Sequence, residues 1–293
     1  MCDSASHLSR EFFCVFSSCL TLVVACSSSG PKLTGPERAY TEAEQTFNKA
    51  NFDRAIELTD KPANSSPPNE FTERARVLRV IIFSGSVNAY RQLAEAYEKG
   101  AKAAKQPALR GEYRRLRQDN FQLWSKGALA LGEVAQQLTT GGTIAKELTL
   151  EAPYPAAEGP VTVLQLDQVE KGNALGPEDE EKAAVEARRK GVDDALAEML
   201  GGDRSKARSA LTAGPVKLSG VVCALFLGRQ LLVGAEAFDR KHGDEPTKFM
   251  VLHARSQEAV KAALAQLKEN PNSEQEKEAK KLQEQLKAAM KTT

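Results

Sequence analysis

From residue 37 onward the apolar positions recur at helical spacing. Ala75, Leu78, Ile82, Ala89, Leu93 and Tyr97 fall on one stripe, which predicts a helix over roughly 69–105, because residues three and four apart share a helix face. After Pro107, Leu116, Leu123, Gly127, Leu131, Val134 and Leu138 mark a second long helix, stopped by Gly141-Gly142. Phe249, Leu252, Val260, Ala263 and Leu267 mark a third. The run VVCALFLGRQLLVG is apolar on every face and too short to cross a bilayer. It predicts a buried helix in which Cys223 is an inert core thiol. The end, SEQEKEAKKLQEQLKAAMKT, reads as a charged helix with Leu282 and Leu286 as a thin apolar seam, a solvated cap.

One segment breaks the helical period. TIAKELTLEAPYPAAEGPVTVLQLDQVEKG is rich in β-branched residues and leucine, with Pro153, Pro155, Gly159 and Pro160 at its centre. It predicts a two-stranded ribbon, roughly Thr143–Leu150 and Val161–Val169. Such a ribbon is marginal alone and has to pack on the helices or on a partner.

ERAYTEAEQTFNKANFDRAIELTDKP, residues 37–62, reads as a hairpin of two helices. Ala43 and Ala55 sit where close helix approach needs small residues, and Phe47 and Phe52 fill the groove between them. This stretch resembles a tetratricopeptide repeat, with Pro62 cutting the second helix short. A looser version returns downstream: Ala195, Met199, Gly202 and Ala207 follow Ala43, Phe47, Ala50 and Ala55 at one constant offset. Phe226-Leu227-Gly228 and Gly243 follow Phe83-Ser84-Gly85 and Gly100 at a slightly shorter one. The fold expected is mainly α: two related, tetratricopeptide-like helical halves, 37–138 and 178–293, with a linker at 139–177 carrying the short β-ribbon.

The N-terminal region says where such a body would sit. Four of the five cysteines, Cys2, Cys14, Cys19 and Cys26, precede residue 27; the fifth is Cys223. Phe12 to Ala25 has the length of the hydrophobic region of an export signal. Val23-Val24-Ala25-Cys26 then resembles the lipobox of bacterial lipoproteins. The resemblance implies a signal peptide over 1–25, removal of Cys2, Cys14 and Cys19, and lipidation of Cys26, with 26–36 as a lipidated, flexible tether. Two or three acyl chains make such an anchor durable where one does not. Ser27 after the cysteine implies sorting to the outer membrane, facing the periplasm. The region before the apolar run departs from the pattern, carrying Asp3, Arg10 and Glu11 in place of a plainly positive stretch.

Composition narrows the chemistry. With a net charge of +1 over 293 residues there is no global attraction to nucleic acid. The chain holds no HExxH, paired CxxC, GxSxG or phosphate-cradling glycine loop. His242, Asp244, Glu245 and His253 match no metal spacing and read as polar residues of a helix–loop–helix junction. Glu178 to Glu181 after Pro177 suit a helix N-terminus. Arg110, Arg114, Arg115 and Arg117, near Tyr113 and Trp124, read either as a solvated face paired with Glu112 and Asp119 or as a contact for an anionic headgroup or acidic protein. Concave faces of stacked hairpins bind partners in solenoids, which nominates Tyr40, Glu44 and Asn48 as well.

The function expected is therefore a membrane-anchored envelope lipoprotein acting as a protein-binding scaffold or assembly module. No enzyme activity, cofactor, metal or nucleic-acid partner is expected. The alternative is a transport accessory similar to the tetratricopeptide-type lipoproteins of TRAP transporters, passing a small molecule through a channel lined by Arg79, Arg91 or Arg114.

Overall fold

The computed structural model describes residues 35–155 and 166–292. The lipobox, Cys26, the tether up to residue 34 and the predicted strand residues 161–165 lie outside the described residues.

The chain opens with a helical hairpin, α1 (Gly35–Asn48) and α2 (Phe52–Ala63). Ala43 and Ala55 are fully buried where the helices cross, and Phe47 meets Phe52 edge-on at 5.6 Å between ring centres. Ala50 turns the chain with φ of 56°, and the Asn51 side chain caps α2 by accepting from the Arg54 N–H. Pro62 occupies the penultimate position of α2. Two long helices follow, α3 (Glu70–Ala103) and α4 (Pro107–Leu138). Asn69 and Thr72 form a reciprocal cap on α3, and Pro107 starts α4, where a missing N–H costs nothing.

Beyond α4 come β1 (Glu147–Leu150), the short α5 (Leu166–Glu170) and α6 (Pro177–Met199). Then follow α7 (Arg204–Ala213), β2 (Val216–Ser219), α8 (Gly220–Ala235), α9 (Pro246–Glu269) and α10 (Ser273–Thr292). The turn between α6 and α7 repeats features of the first hairpin: Gly202 has φ of 87°, and Asp203 caps α7 by accepting from the Lys206 N–H. The acidic run after Pro177 does form the first turn of α6.

The ribbon exists, but with a different partner. β1 pairs antiparallel with β2, Glu147 opposite Ser219 and Leu150 opposite Val216. The end of the predicted second strand, from Leu166 to Val169, is helical and lies in α5, with Val169 buried against Tyr97 and Tyr113. The alternation of Val216, Lys217, Leu218 and Ser219 is a four-residue strand signal enclosed by helical sequence, where a helical reading absorbs it. Its Leu218, like Leu148 and Leu150, faces the core, while Lys217 and Ser219 face outward.

One apolar cluster runs from Tyr40 in α1 through Leu78, Trp124, Leu196 and Phe226 to Ala279 in α10. All six residues of the predicted α3 stripe are buried, as are all five of α9. On α4 Leu131 and Val134 of the predicted stripe are buried, but its first half departs by one residue. Leu123 is 42% exposed, whereas Trp124, Ala128 and Leu131 enter the core. α3 and α6 cross at a glycine pair, Gly85 and Gly191, where a side-chain carbon would collide with the opposing backbone. Gly220–Phe238 has the length and mean hydropathy, 1.6, of a membrane span, yet 72% of that window is buried within the body. α10 lays Leu282 and Leu286 on Leu232, Val260 and Leu264, and its Ala279 joins the main core.

Candidate functional site

The residues nominated on α1 do not form an open face. Tyr40 is 1% exposed, and its hydroxyl donates to the Glu151 carbonyl after β1. Its spacing from Ala43 and Phe47 places it on the buried stripe, a signal the sequence carried. Glu44, one turn on, is half-buried near Glu151 and Arg74. Burial first, then the Glu151 charge, push its carboxyl up to about 7, with Arg74 opposing. Arg74 pairs with Glu151 and, at 3.4 Å, with Glu70. Asn48 closes α1, half-buried. Tyr40 is thus a core residue and is withdrawn as a partner contact.

The arginine cluster divides. Arg115 pairs along its own helix with Asp119 (3.0 Å) and Glu112 (3.5 Å), as a solvated face would. Arg110, Arg114 and Arg117 instead turn toward the end of α3, where with Lys102, Glu98 and Ala101 they line a groove of about 530 Å³. Arg110 donates to the Ala104 carbonyl at 3.0 Å, and Arg117 reaches Glu98 at 3.5 Å. Lys102, donating to the same carboxylate, is the main reason the Glu98 pKa falls. Arg114 is exposed. One carboxylate among four cations leaves the groove positive. The nearby aromatics belong to the core: Tyr113 donates to the Asn173 carbonyl, and Trp124 stands edge-on to Phe121 and His242.

The histidines have structural partners. His242 Nδ1 lies 2.8 Å from an Asp239 carboxylate oxygen, and buried His253 Nε2 lies 2.8 Å from the Leu286 carbonyl of α10. Among the described residues no group of three or more His, Cys, Asp or Glu is placed to hold a metal. Cys223 is 3% exposed, and burial pushes its thiol up to about 12.

A cleft that the sequence did not indicate lies in the second half. α2 packs closely on α3, but α7 barely touches α8. The space between them, about 550 Å³, has Met199 and Leu200 on one wall, Val222 and Leu225 on another, and all four residues of β2 along its side. Near it Arg229 bridges Glu198 (2.8 Å) and Glu278, tying α6, α8 and α10 together. The only hint in sequence is that α7, RSKARSALTA, buries just Ala207 and Leu211.

The three arginines named for a solute channel are held in separate places. Arg79 is tied to α2 through the Ile56 carbonyl (3.0 Å) and Asp60 (3.2 Å). Arg91 pairs with Glu236 at 3.3 Å, in the turn after α8, and Arg114 lies in the α3–α4 groove. Comparison with known proteins finds no matching family model, no matching curated protein and no matching solved structure.

Proposed function

We propose that this chain is a lipid-anchored envelope protein whose helical body, in two related halves, acts as a protein-binding scaffold or assembly module. The observation that carries the binding reading is the cleft between α7 and α8, a half-apolar surface recess of about 550 Å³. The corresponding turns and caps at Ala50-Asn51 and Gly202-Asp203 support the relation between the halves. The lipobox-like Val23-Val24-Ala25-Cys26 supports the anchor, and with it an outer-membrane location facing the periplasm.

Two experiments test this. Labelled palmitate should enter the wild-type chain and not Cys26→Ala; equal labelling of the two ends the anchor reading. Photo-crosslinking from position 210, on the α7 side of the cleft, in intact cells should trap a discrete protein partner, and loss of that adduct in Val222→Glu ties it to the cleft. Adducts unaffected by Val222→Glu would refute the scaffold reading at this site. A second reading, the solute-transport accessory, is favoured by the positive groove holding Arg110, Arg114 and Arg117. It requires small anions to bind there and Arg114→Glu to abolish binding.

A further inference from the structure

We infer that the cleft takes an extended peptide, added as a third strand along the open edge of β2. This deepens the protein-binding reading and rests on it. The argument starts from the hydrogen-bond parity of the ribbon. The Gly220 N–H donates to the Lys146 carbonyl at 2.8 Å, one step beyond the Glu147–Ser219 pair. In an antiparallel ladder, bonded and non-bonded pairs alternate. Leu148–Leu218 and Leu150–Val216 are therefore the bonded pairs, and Thr149 and Lys217 turn their backbone groups away from each other. The other side of the ribbon bears this out: the Thr149 N–H points away from β2 and donates to the Glu73 carboxylate of α3 at 2.9 Å.

By the same alternation the Lys217 N–H and C=O point away from β1, as does the Ser219 N–H. Glu73 satisfies the outward Thr149 N–H of β1, but among the described residues no strand or side chain satisfies the outward groups of β2. An edge of this kind is a template for another strand. What lies beside it decides what kind. All of β2 lines the cleft, and a strand paired to it would run about 4.8 Å away. One alternate set of its side chains would enter between Met199 and Leu200 on one side and Val222 and Leu225 on the other. This is the chemistry of strand addition: backbone bonds supply affinity, and a pocket for alternate side chains supplies selectivity.

Charge refines the occupant. The two carboxylates of the cleft, Glu198 and Glu278, are engaged by Arg229, whereas Lys206 lines the same space with no ion-pair partner among the described residues. The peptide that fits has apolar residues at alternate positions and an acidic residue at one end. A small amphiphile would use the apolar walls and leave the strand edge idle.

Proline at 217 separates these possibilities. The Lys217 N–H is not used in pairing with β1, so Lys217→Pro removes an outward donor from an edge strand, a place where proline is tolerated. Lys217→Ala controls for the side chain, which donates to Thr149. Random displayed peptides would be selected on the full-length protein in detergent, and the best would be labelled and titrated by fluorescence anisotropy. Binding should fall about tenfold or more in Lys217→Pro and Val222→Glu, and stay within about threefold in Lys217→Ala. Circular dichroism would confirm that each variant is folded. Equal binding by Lys217→Pro and Lys217→Ala overturns strand addition while leaving the cleft as the binding site. Indifference to Val222→Glu overturns the cleft itself. Failure to recover any peptide, or a dimer in sedimentation that Lys217→Pro dissolves, overturns the peptide as occupant.

Discussion

Gly191→Ala tests how α3 and α6 are held together. A Cβ at Gly191 would stand 2.1 Å from the Gly85 carbonyl oxygen, and one at Gly85 would stand 2.4 Å from the Val192 nitrogen. Ordinary carbon–oxygen contact begins near ~3.3 Å, so the two backbones must separate by about 1.2 Å to admit one methyl group. Both obstacles are backbone atoms of long helices, which cannot rotate aside as a side chain would. Neighbouring Val192, Leu196 and Leu78 are fully buried, so the movement disturbs close-packed core. Overpacking of this severity costs about 3 kcal/mol. Alanine returns about 1 kcal/mol through its better helix propensity, leaving a net loss of about 2 kcal/mol.

Gly111→Ala supplies the control. Gly111 is exposed in α4, and nothing lies within 4 Å of where its Cβ would be. There the propensity gain stands alone, up to about 1 kcal/mol. With roughly 2–4 °C per kcal/mol for a body of this size, Gly191→Ala should melt about 4–8 °C below the parent and Gly111→Ala about 2–4 °C above it. Far-ultraviolet circular dichroism during heating reads both. If Gly191→Ala melts at or above the parent while Gly111→Ala rises, the close crossing of α3 and α6 is wrong.

Glu44 makes stability depend on pH. Its folded pKa of about 7 lies above the ordinary carboxyl value of 4.5, so between the two the folded state holds a proton that the unfolded chain has released. Its contribution is fully present below about pH 4.5 and is lost as pH rises through about 7. Glu44→Gln should therefore match the parent at about pH 4 and exceed it at about pH 8 in urea denaturation; an unchanged pH slope would refute this. Arg188 joins α6 to the first hairpin: it grips Asp53 at 2.6 and 2.7 Å, donates to Ser86, and lies over the Phe52 and Tyr90 rings. Arg188→Ala should cost about 2 kcal/mol and Arg188→Lys about half of that, since lysine keeps the charge but not the fork. Cys223 should react with a thiol reagent only on unfolding; fast labelling of the native protein would contradict its burial.

The helices were legible because their apolar stripes are long and their ends carry strong punctuation. Asn69, Pro107 and Pro177 start helices, and Gly141-Gly142 lies just past the end of α4. Short signals failed. β2 offers only two alternations, and its partner lies some seventy residues upstream, beyond any local pattern. On α4 the stripe runs through Trp124, and a reading built on leucines placed Leu123 inside in its stead. The analogy with the concave face of stacked hairpins puts Tyr40 on an open surface, although its position, three and seven residues before Ala43 and Phe47, marks it as core. The arginine groove was half legible: the spacing of Arg110, Arg114 and Arg117 puts them on one side of α4, but only the antiparallel return of α3 supplies Lys102 and Glu98.

The cleft illustrates why the proposed binding surface escapes a search for reactive side chains. In the first half, Arg76 and Arg79 of α3 reach across to α2, donating to the Ala63 carbonyl at 2.9 Å and to the Ile56 carbonyl at 3.0 Å. The first bond satisfies a carbonyl at the end of α2, and both tie that helix to α3. At the offset that aligns Phe83 and Gly85 with Phe226 and Gly228, the two arginines correspond to Ser219 and Val222. Neither residue can reach α7, and both line the cleft. Among the described residues no such ties draw α7 onto α8, and β2 lines the space between them. A recess made by two absent arginines and three outward backbone groups has no motif. On the proposed relation between the halves, it follows from what the first has and the second lacks, and that comparison is where its chemistry becomes readable.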